Sequence, residues 1–150
     1  APGGKTGHIG ETLDVTSELV ALEIDEKRLQ SLTTNIKRLK VRCKTLQGDA
    51  SQPDTWFDGK RFDRILADVP CSGTGVIRRH PDIRFHRISQ DIENYQKLQV
   101  IILKNLWPLL KPEGFLLYVT CSILINYVCR HKQSYWNIIF PEYWPCNFIE

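Results

Sequence analysis

The chain has 150 residues and not one of them is methionine. It has no apolar run near the roughly 20 residues that a membrane-spanning helix needs, and no signal-peptide pattern is visible in these residues. A cytoplasmic protein without membrane contact is therefore expected. Cysteine is sparse and unpaired in pattern: there are five, an odd number, with no Cys-x-x-Cys. That argues against a disulfide framework and a structural zinc site, so no metal is expected. Reduced thiols suit a cytosolic setting. A strong charge of one sign is also missing. Lys and Arg total 20 against 17 Asp and Glu, a formal balance of +3. This permits a phosphate-bearing partner without demanding one. The chain opens at Ala1-Pro2-Gly3-Gly4-Lys5, inside a turn-like motif, and is expected to be a fragment.

What is present is ordinary for one globular domain, with 42% hydrophobic and 25% charged residues. Short β-rich runs alternate with helical patterns. Val20–Asp25 reads as a strand ending in acids. From Glu26 to Lys40, Leu29, Leu32, Ile36 and Leu39 form a helical stripe. Val41–Leu46 is expected to be a second strand, closed by Gly48-Asp49, and Arg64–Ala67 a third, closed by Asp68. Ile92, Tyr95, Leu98, Ile102 and Leu106 then recur at helical spacing until Pro108 and Pro112-Glu113-Gly114. Phe115–Val119 is a fourth strand leading into Thr120-Cys121-Ser122. Such alternation implies parallel pairing with right-handed crossovers. Ligands in open parallel sheets bind at the carboxyl ends of the strands, where the polar residues of this chain collect.

Gly3-Gly4-Lys5-Thr6 precedes a short helix through Leu13, where glycines allow close backbone approach and the helix start offers N–H groups. It is not G-x-G-x-x-G, so a nicotinamide oxidoreductase is a poor fit. Glu23 ends a strand about 20 residues on, where a carboxylate suits ribose hydroxyls. Asp49 and Asp68 end the next two strands, a nucleoside-site pattern. Asp68-Val69-Pro70-Cys71-Ser72-Gly73 sets a thiol at a strand end, and Cys121 sets a second at the end of the following strand. Both thiols are expected to face one cleft. Cys43, Cys129 and Cys146 have no such context. Arg78, Arg79, His80, Arg84, His86 and Arg87 lie within ten residues, with Asp82 the one acid among them. The run is either an RNA-phosphate surface, with Phe85 packing beneath it, or a solvated basic face.

Taken in order and spacing, Ala1-Pro2-Gly3-Gly4-Lys5-Thr6, Asp68-Val69-Pro70-Cys71-Ser72 and Thr120-Cys121-Ser122 resemble the signature motifs of the RNA cytosine-5 methyltransferases. Gly75-Val76-Ile77-Arg78-Arg79-His80-Pro81-Asp82 resembles the branch acting on bacterial small-subunit (16S) ribosomal RNA. The resemblance covers residues 1–123, the expected catalytic core, and leaves 124–150 as an atypical tail. It implies an α/β fold: a Rossmann-like class I S-adenosylmethionine-dependent methyltransferase sheet. That sheet is expected to be truncated, lacking its first strand and departing from the family in its carboxy-terminal strands. The chain alone is therefore expected to fold or act poorly.

The resemblance also implies roles. Cys121 would be the nucleophile that adds to carbon 6 of cytosine, and Cys71 the cysteine that assists product release. Asp68 would hydrogen-bond the ring near N3 and lie beside the cofactor. Ala1, Pro2, Gly3, Gly4 and Lys5 would wrap the methionine part of S-adenosyl-L-methionine, Glu23 would hold the ribose and Asp49 the adenine. Arg78, Arg79, His80, Arg84 and Arg87 would contact the RNA. Because a thiolate must attack, Cys121 is expected to have a lowered pKa in an electropositive setting helped by Lys5. Two other readings stay open: a relative acting on transfer RNA or large-subunit ribosomal RNA, and a non-catalytic remnant.

Overall fold

A computed structural model describes residues 3–86, 88–122 and 138–139, the side chains of 84, 86, 89, 138 and 139 excepted. Ala1, Pro2, Arg87, Cys129 and Cys146, the Arg84 side chain and most of the 124–150 tail lie outside the described residues. The chain forms two compact units, residues 1–58 and 59–150.

In the first unit, α1 (Gly4–Thr12) leads to β1 (Val20–Glu23), α2 (Glu26–Arg38) and β2 (Lys44–Gln47). Gly3 caps α1 with φ +88, a conformation that glycine adopts without penalty. Its α-carbon also lies against Leu32, where an added Cβ would approach Cδ1 to 2.7 Å. The Asp25 carboxylate caps α2 by accepting from the Arg28 N–H at 2.8 Å. Glu26 in the first turn and Lys37 and Arg38 in the last turn suit the helix dipole. Leu32 and Ile36 are buried with Ala21, and Leu29, Val41 and Cys43 pack against them. Each fully buried aliphatic side chain contributes about 1.5–3 kcal/mol.

β1 and β2 pair in parallel, with Val20 opposite Lys44 and Glu23 opposite Gln47. The second strand starts later than its sequence pattern suggests. Lys40 turns the chain out of α2 at φ +55, and the Val41 N–H bonds back to the Ile36 carbonyl at 3.2 Å. Val41 and Cys43 are thus used in packing against the helix, and the ladder begins at Lys44.

In the second unit, β3 (Phe62–Asp68) precedes a short helix α3 (Ile83–His86), the long α4 (Ser89–Leu106), β4 (Leu110–Val119) and β5 (Ile138–Ile139). The strand order is β3-β4-β5, and both pairings are parallel. Buried side chains come from β3 (Ala67), α4 (Gln99, Ile102, Leu103, Leu106) and β4 (Leu110, Leu116, Tyr118). The Asp91 carboxylate accepts from the Ile88 N–H at 3.1 Å and so covers the start of α4.

β4 is longer than expected. Pro112-Glu113-Gly114 does not separate helix from strand but forms a bulge within it. Leu110 pairs with Phe62 and Phe115 with Arg64, so the intervening residues loop out, with Glu113 at φ +64. From there the register runs unbroken to Asp68 opposite Val119. The two strand ends that carry the cysteine motifs are therefore neighbours.

Candidate active site

The second unit brings Cys71 and Cys121 together. Their sulfurs are 3.1 Å apart, although the residues are 50 positions apart in sequence. Parallel pairing accounts for most of this. The Val69 N–H continues the β3–β4 ladder to the Val119 carbonyl at 3.1 Å, and the Gly75 N–H reaches the Cys121 carbonyl at 2.8 Å. The structure thus brings the two thiols expected to face one cleft into contact with each other.

Three hydroxyls fasten the two loops. Ser72 and Ser122, the residues following each cysteine, lie 2.8 Å apart. Thr74 stands 3.2 Å from each of them. Ser72 and Ser122 are buried. Beneath them a second bracket ties the loop to helix and strand. The Gln99 amide on α4 donates to the Pro70 carbonyl at 2.8 Å, and its oxygen accepts from the Tyr118 hydroxyl at 2.9 Å. Gln99 is only 1% exposed. Sequence reasoning missed all five of these residues. The signal for Ser72 and Ser122 was present, because the same Cys-Ser dipeptide ends both strands.

Gly73 adopts φ +71, and an added Cβ there would approach Ile83 Cδ1 to 3.2 Å. This turn directs the Gly73 N–H at the Cys71 sulfur. Burial opposes ionisation of Cys71. Hydrogen bonds from the Thr120 hydroxyl, the Cys121 thiol and the Gly73 and Cys121 N–H groups outweigh it, and its pKa is lowered. Cys121 moves the other way, up to about 11. Burial is the main cause, followed by hydrogen-bond donation to Cys71, the charge of Cys71 and the charge of Asp68. The expected lowered pKa at Cys121 and its electropositive setting are therefore incorrect for this structure. The charges that act on it are those of Cys71 and Asp68, and of the two sulfurs Cys71 is the one that ionises more readily.

Asp68 is exposed at the last position of β3. Arg78, Arg79 and His80 are exposed in the turn after Thr74–Val76. Phe85 does not pack beneath them: it is 73% exposed, a large apolar ring at the surface beside a basic run.

In the first unit, Gly4 and Lys5 are exposed at the start of α1, and open space lies over Gly4. The Glu23 carboxylate at the end of β1 is already oriented, accepting from the Asp25 N–H at 3.2 Å and lying 3.6 Å from Arg28. Asp49, just past β2, accepts from the Ser51 N–H at 2.7 Å, and its own carbonyl accepts from the Trp56 indole at 2.8 Å. Glu23 and Asp49 follow adjacent paired strands, and the Gly48 N–H donates to the Glu23 carbonyl at 3.1 Å. This donor set fits a nucleoside: an oriented carboxylate for vicinal hydroxyls, a second acid one strand over and a helix start. Cys43 belongs to this unit's core, and burial pushes its thiol up. Among the described residues, no cluster of His, Cys, Asp or Glu is placed to hold a metal ion. No described helix is long and apolar enough to cross a membrane.

These elements define a mixed α/β unit of the class I S-adenosylmethionine-dependent methyltransferase type. The solved structure of PH0851 superposes with a TM-score of 0.77 at 34% identity, covering 83% of this chain and 28% of that one. That of NSun6 from Pyrococcus horikoshii with SFG gives 0.72 at 35%, covering 81% and 31%. Among curated proteins, ribosomal RNA small subunit methyltransferase B of Vibrio vulnificus (strain YJ016) is 53% identical over 123 residues, 82% of this chain and 29% of the relative. Its namesake in Pectobacterium carotovorum subsp. carotovorum (strain PC1) is 51% identical over 142 residues, 89% and 33%. The chain thus spans about a third or less of the length of these relatives. Residues 1–133 match the family described as 16S rRNA methyltransferase RsmB/F, and the chain belongs to that family.

Proposed function

We propose that this chain carries the catalytic core of an enzyme that transfers a methyl group from S-adenosylmethionine to carbon 5 of a cytosine in 16S ribosomal RNA. The observation that carries this reading is the 3.1 Å approach of two thiols on paired strand ends, in a family of ribosomal RNA methyltransferases. Support for the cofactor comes from the oriented Glu23 carboxylate and from a structural neighbour solved with SFG, an analogue of S-adenosylmethionine.

Carbon 5 of cytosine is a weak nucleophile, and covalent addition of a thiolate at carbon 6 makes it enamine-like. Cys121, the more exposed sulfur, is assigned that addition. The bound cofactor supplies an electrophilic methyl group on a sulfonium. Asp68 is assigned a hydrogen bond to the base, favouring charge build-up on the ring. After transfer a solvent base takes the carbon 5 proton, the C–H electron pair re-forms the carbon 5–carbon 6 double bond, and the Cys121–carbon 6 bond breaks to return Cys121 as thiolate. Cys71, in contact with the departing sulfur, is assigned to this release. Cys121 must lose its proton before it attacks, and its present neighbours oppose that loss. Transfer of the Cys121 proton to the Cys71 sulfur 3.1 Å away, as the base arrives, meets this requirement.

Gly3, Gly4, Lys5, Glu23 and Asp49, with Ala1 and Pro2, are assigned to the cofactor. Arg78, Arg79 and His80, with Arg84 and Arg87, are assigned to RNA phosphates. Residues 124–150 are assigned no part in the chemistry. The test is methyl transfer by the Vibrio relative carrying residues 1–123 of this chain in place of its own. Labelled methyl from S-adenosylmethionine should enter 16S ribosomal RNA as 5-methylcytosine. Label in another base, or none in a chimera that binds the cofactor, would refute the reading.

A further inference from the structure

We propose that Cys71 and Cys121 are also a reversible oxidation site, where a hydroperoxide joins the two thiols as an intramolecular disulfide. The inference rests on the placement of the sulfurs and does not depend on methyl transfer. At 3.1 Å the sulfurs are about 1 Å farther apart than in a covalent S–S bond. The two loops are held in this relation by the Ser72–Ser122 contact and by the Gly75 N–H on the Cys121 carbonyl. Closing the pair therefore needs a small movement of side chains and no rearrangement of strands.

Access and reactivity agree with this. Cys71 is half-buried and Cys121 exposed, so a molecule the size of hydrogen peroxide can reach them. The thiolate is the form that reacts with peroxides, and Cys71 is the sulfur of the pair on which the surrounding hydrogen bonds favour it. Cys43 is the contrast: it packs in the core of the other unit, and burial holds it as the thiol.

The steps balance. The Cys71 thiolate attacks one oxygen of hydrogen peroxide, forming an S–O bond and breaking the O–O bond, and hydroxide leaves. The product is the Cys71 sulfenic acid. The Cys121 sulfur then attacks the Cys71 sulfur. The S–S bond forms, the S–O bond breaks, and the departing hydroxide leaves as water with the Cys121 proton. Overall the two thiols lose two electrons and two hydrogens, and the peroxide becomes two waters. A dithiol reductant reverses the reaction by thiol–disulfide exchange. While it lasts, neither sulfur can act as a nucleophile.

The test treats the 150-residue chain with hydrogen peroxide and follows intact mass and cross-linked peptides. The expected result is loss of two hydrogens, one peptide pair joining Cys71 to Cys121, and full recovery with dithiothreitol. These thiols should disappear roughly tenfold faster than Cys43. In Cys121→Ser, Cys71 should form a dimedone-reactive sulfenic acid instead of the disulfide, and excess peroxide should carry it on to the sulfinic acid. In strong urea the preference for this pairing should vanish. The proposal is overturned if both residues are recovered as thiols, if they go to sulfinic acids without the cross-link, if Cys71 pairs with another cysteine, or if the pairing is equally selective in urea.

Discussion

Replacing Cys71 by Ala tests directly which sulfur holds the proton. In the native pair the two sulfurs are 3.1 Å apart, and the pKa of Cys121 is raised to about 11 against an ordinary 9.0. At pH 7 Cys121 is then held overwhelmingly as the thiol. Alanine removes the hydrogen-bond acceptor and the neighbouring charge, the second and third causes of the rise. Burial, the largest cause, remains, as does Asp68, so the fall must be less than the two units separating about 11 from 9.0. Each unit raises the thiolate fraction about tenfold, but a less basic thiolate attacks about threefold more slowly, given a Brønsted slope of about 0.4–0.5. The net gain is about threefold per unit, and at most about tenfold in all.

The assay is iodoacetamide alkylation across a pH series, with Cys121 quantified by peptide mass. Wild-type Cys121 should react slowly at neutral pH and accelerate as pH rises through about 11. In Cys71→Ala that midpoint should move down and the neutral-pH rate should rise. An unchanged midpoint, or slower alkylation in the variant, would show that Cys71 is not the proton acceptor.

Wild-type Cys71 should be alkylated before Cys121 at neutral pH, because its ionisation lies below the ordinary value; the reverse order in peptide maps would contradict the assignment. Gln99→Leu should destabilise the chain by about 2–4 kcal/mol in urea unfolding, since a buried Tyr118 hydroxyl loses its acceptor and the Pro70 carbonyl its donor. Adding Tyr118→Phe should restore about 1 kcal/mol or more of that loss, and a further loss would sink the bracket. Ser72→Ala should cost about 1–2 kcal/mol by leaving Ser122 and Thr74 short of a partner, read in the same way. Replacing Arg78 and Arg79 by Ala should reduce the slope of log affinity against log salt for single-stranded RNA by about 0.7 per lost phosphate contact; an unchanged slope would mark the run as a solvated face.

Periodicity carried much of the fold. Leu32 and Ile36 of the predicted stripe are the buried residues of α2, with Leu29 partly buried beside them and Leu39 at the helix end, and alternation of strand and helix implied the parallel pairs that were found. The adjacency of the cysteines follows from that pairing, so it is legible in the sequence. Other features were not. Gln99 is a polar residue type, so the apolar spacing of α4 does not mark it. Yet it stands three and four residues before Ile102 and Leu103, on the buried face, and its burial depends on partners distant in sequence. The ionisation of Cys121 was read with the wrong sign because a motif names the sulfur but not its desolvation or its anionic neighbours. Pro112-Glu113-Gly114 looks like a break between elements, and only the register of β3 against β4 shows it as a bulge. Phe85, expected beneath the arginines, is 73% exposed, because the position of an aromatic within a basic run does not say which way its ring turns.

The central claim is that Cys121 is the sulfur that bonds to the base. It is tested most directly by trapping, using RNA containing 5-azacytidine, S-adenosylmethionine and the Vibrio relative carrying residues 1–123 of this chain. The account predicts a covalent protein–RNA adduct whose linked peptide contains Cys121, abolished by Cys121→Ser. An adduct that maps to Cys71, or that persists in Cys121→Ser, would contradict it.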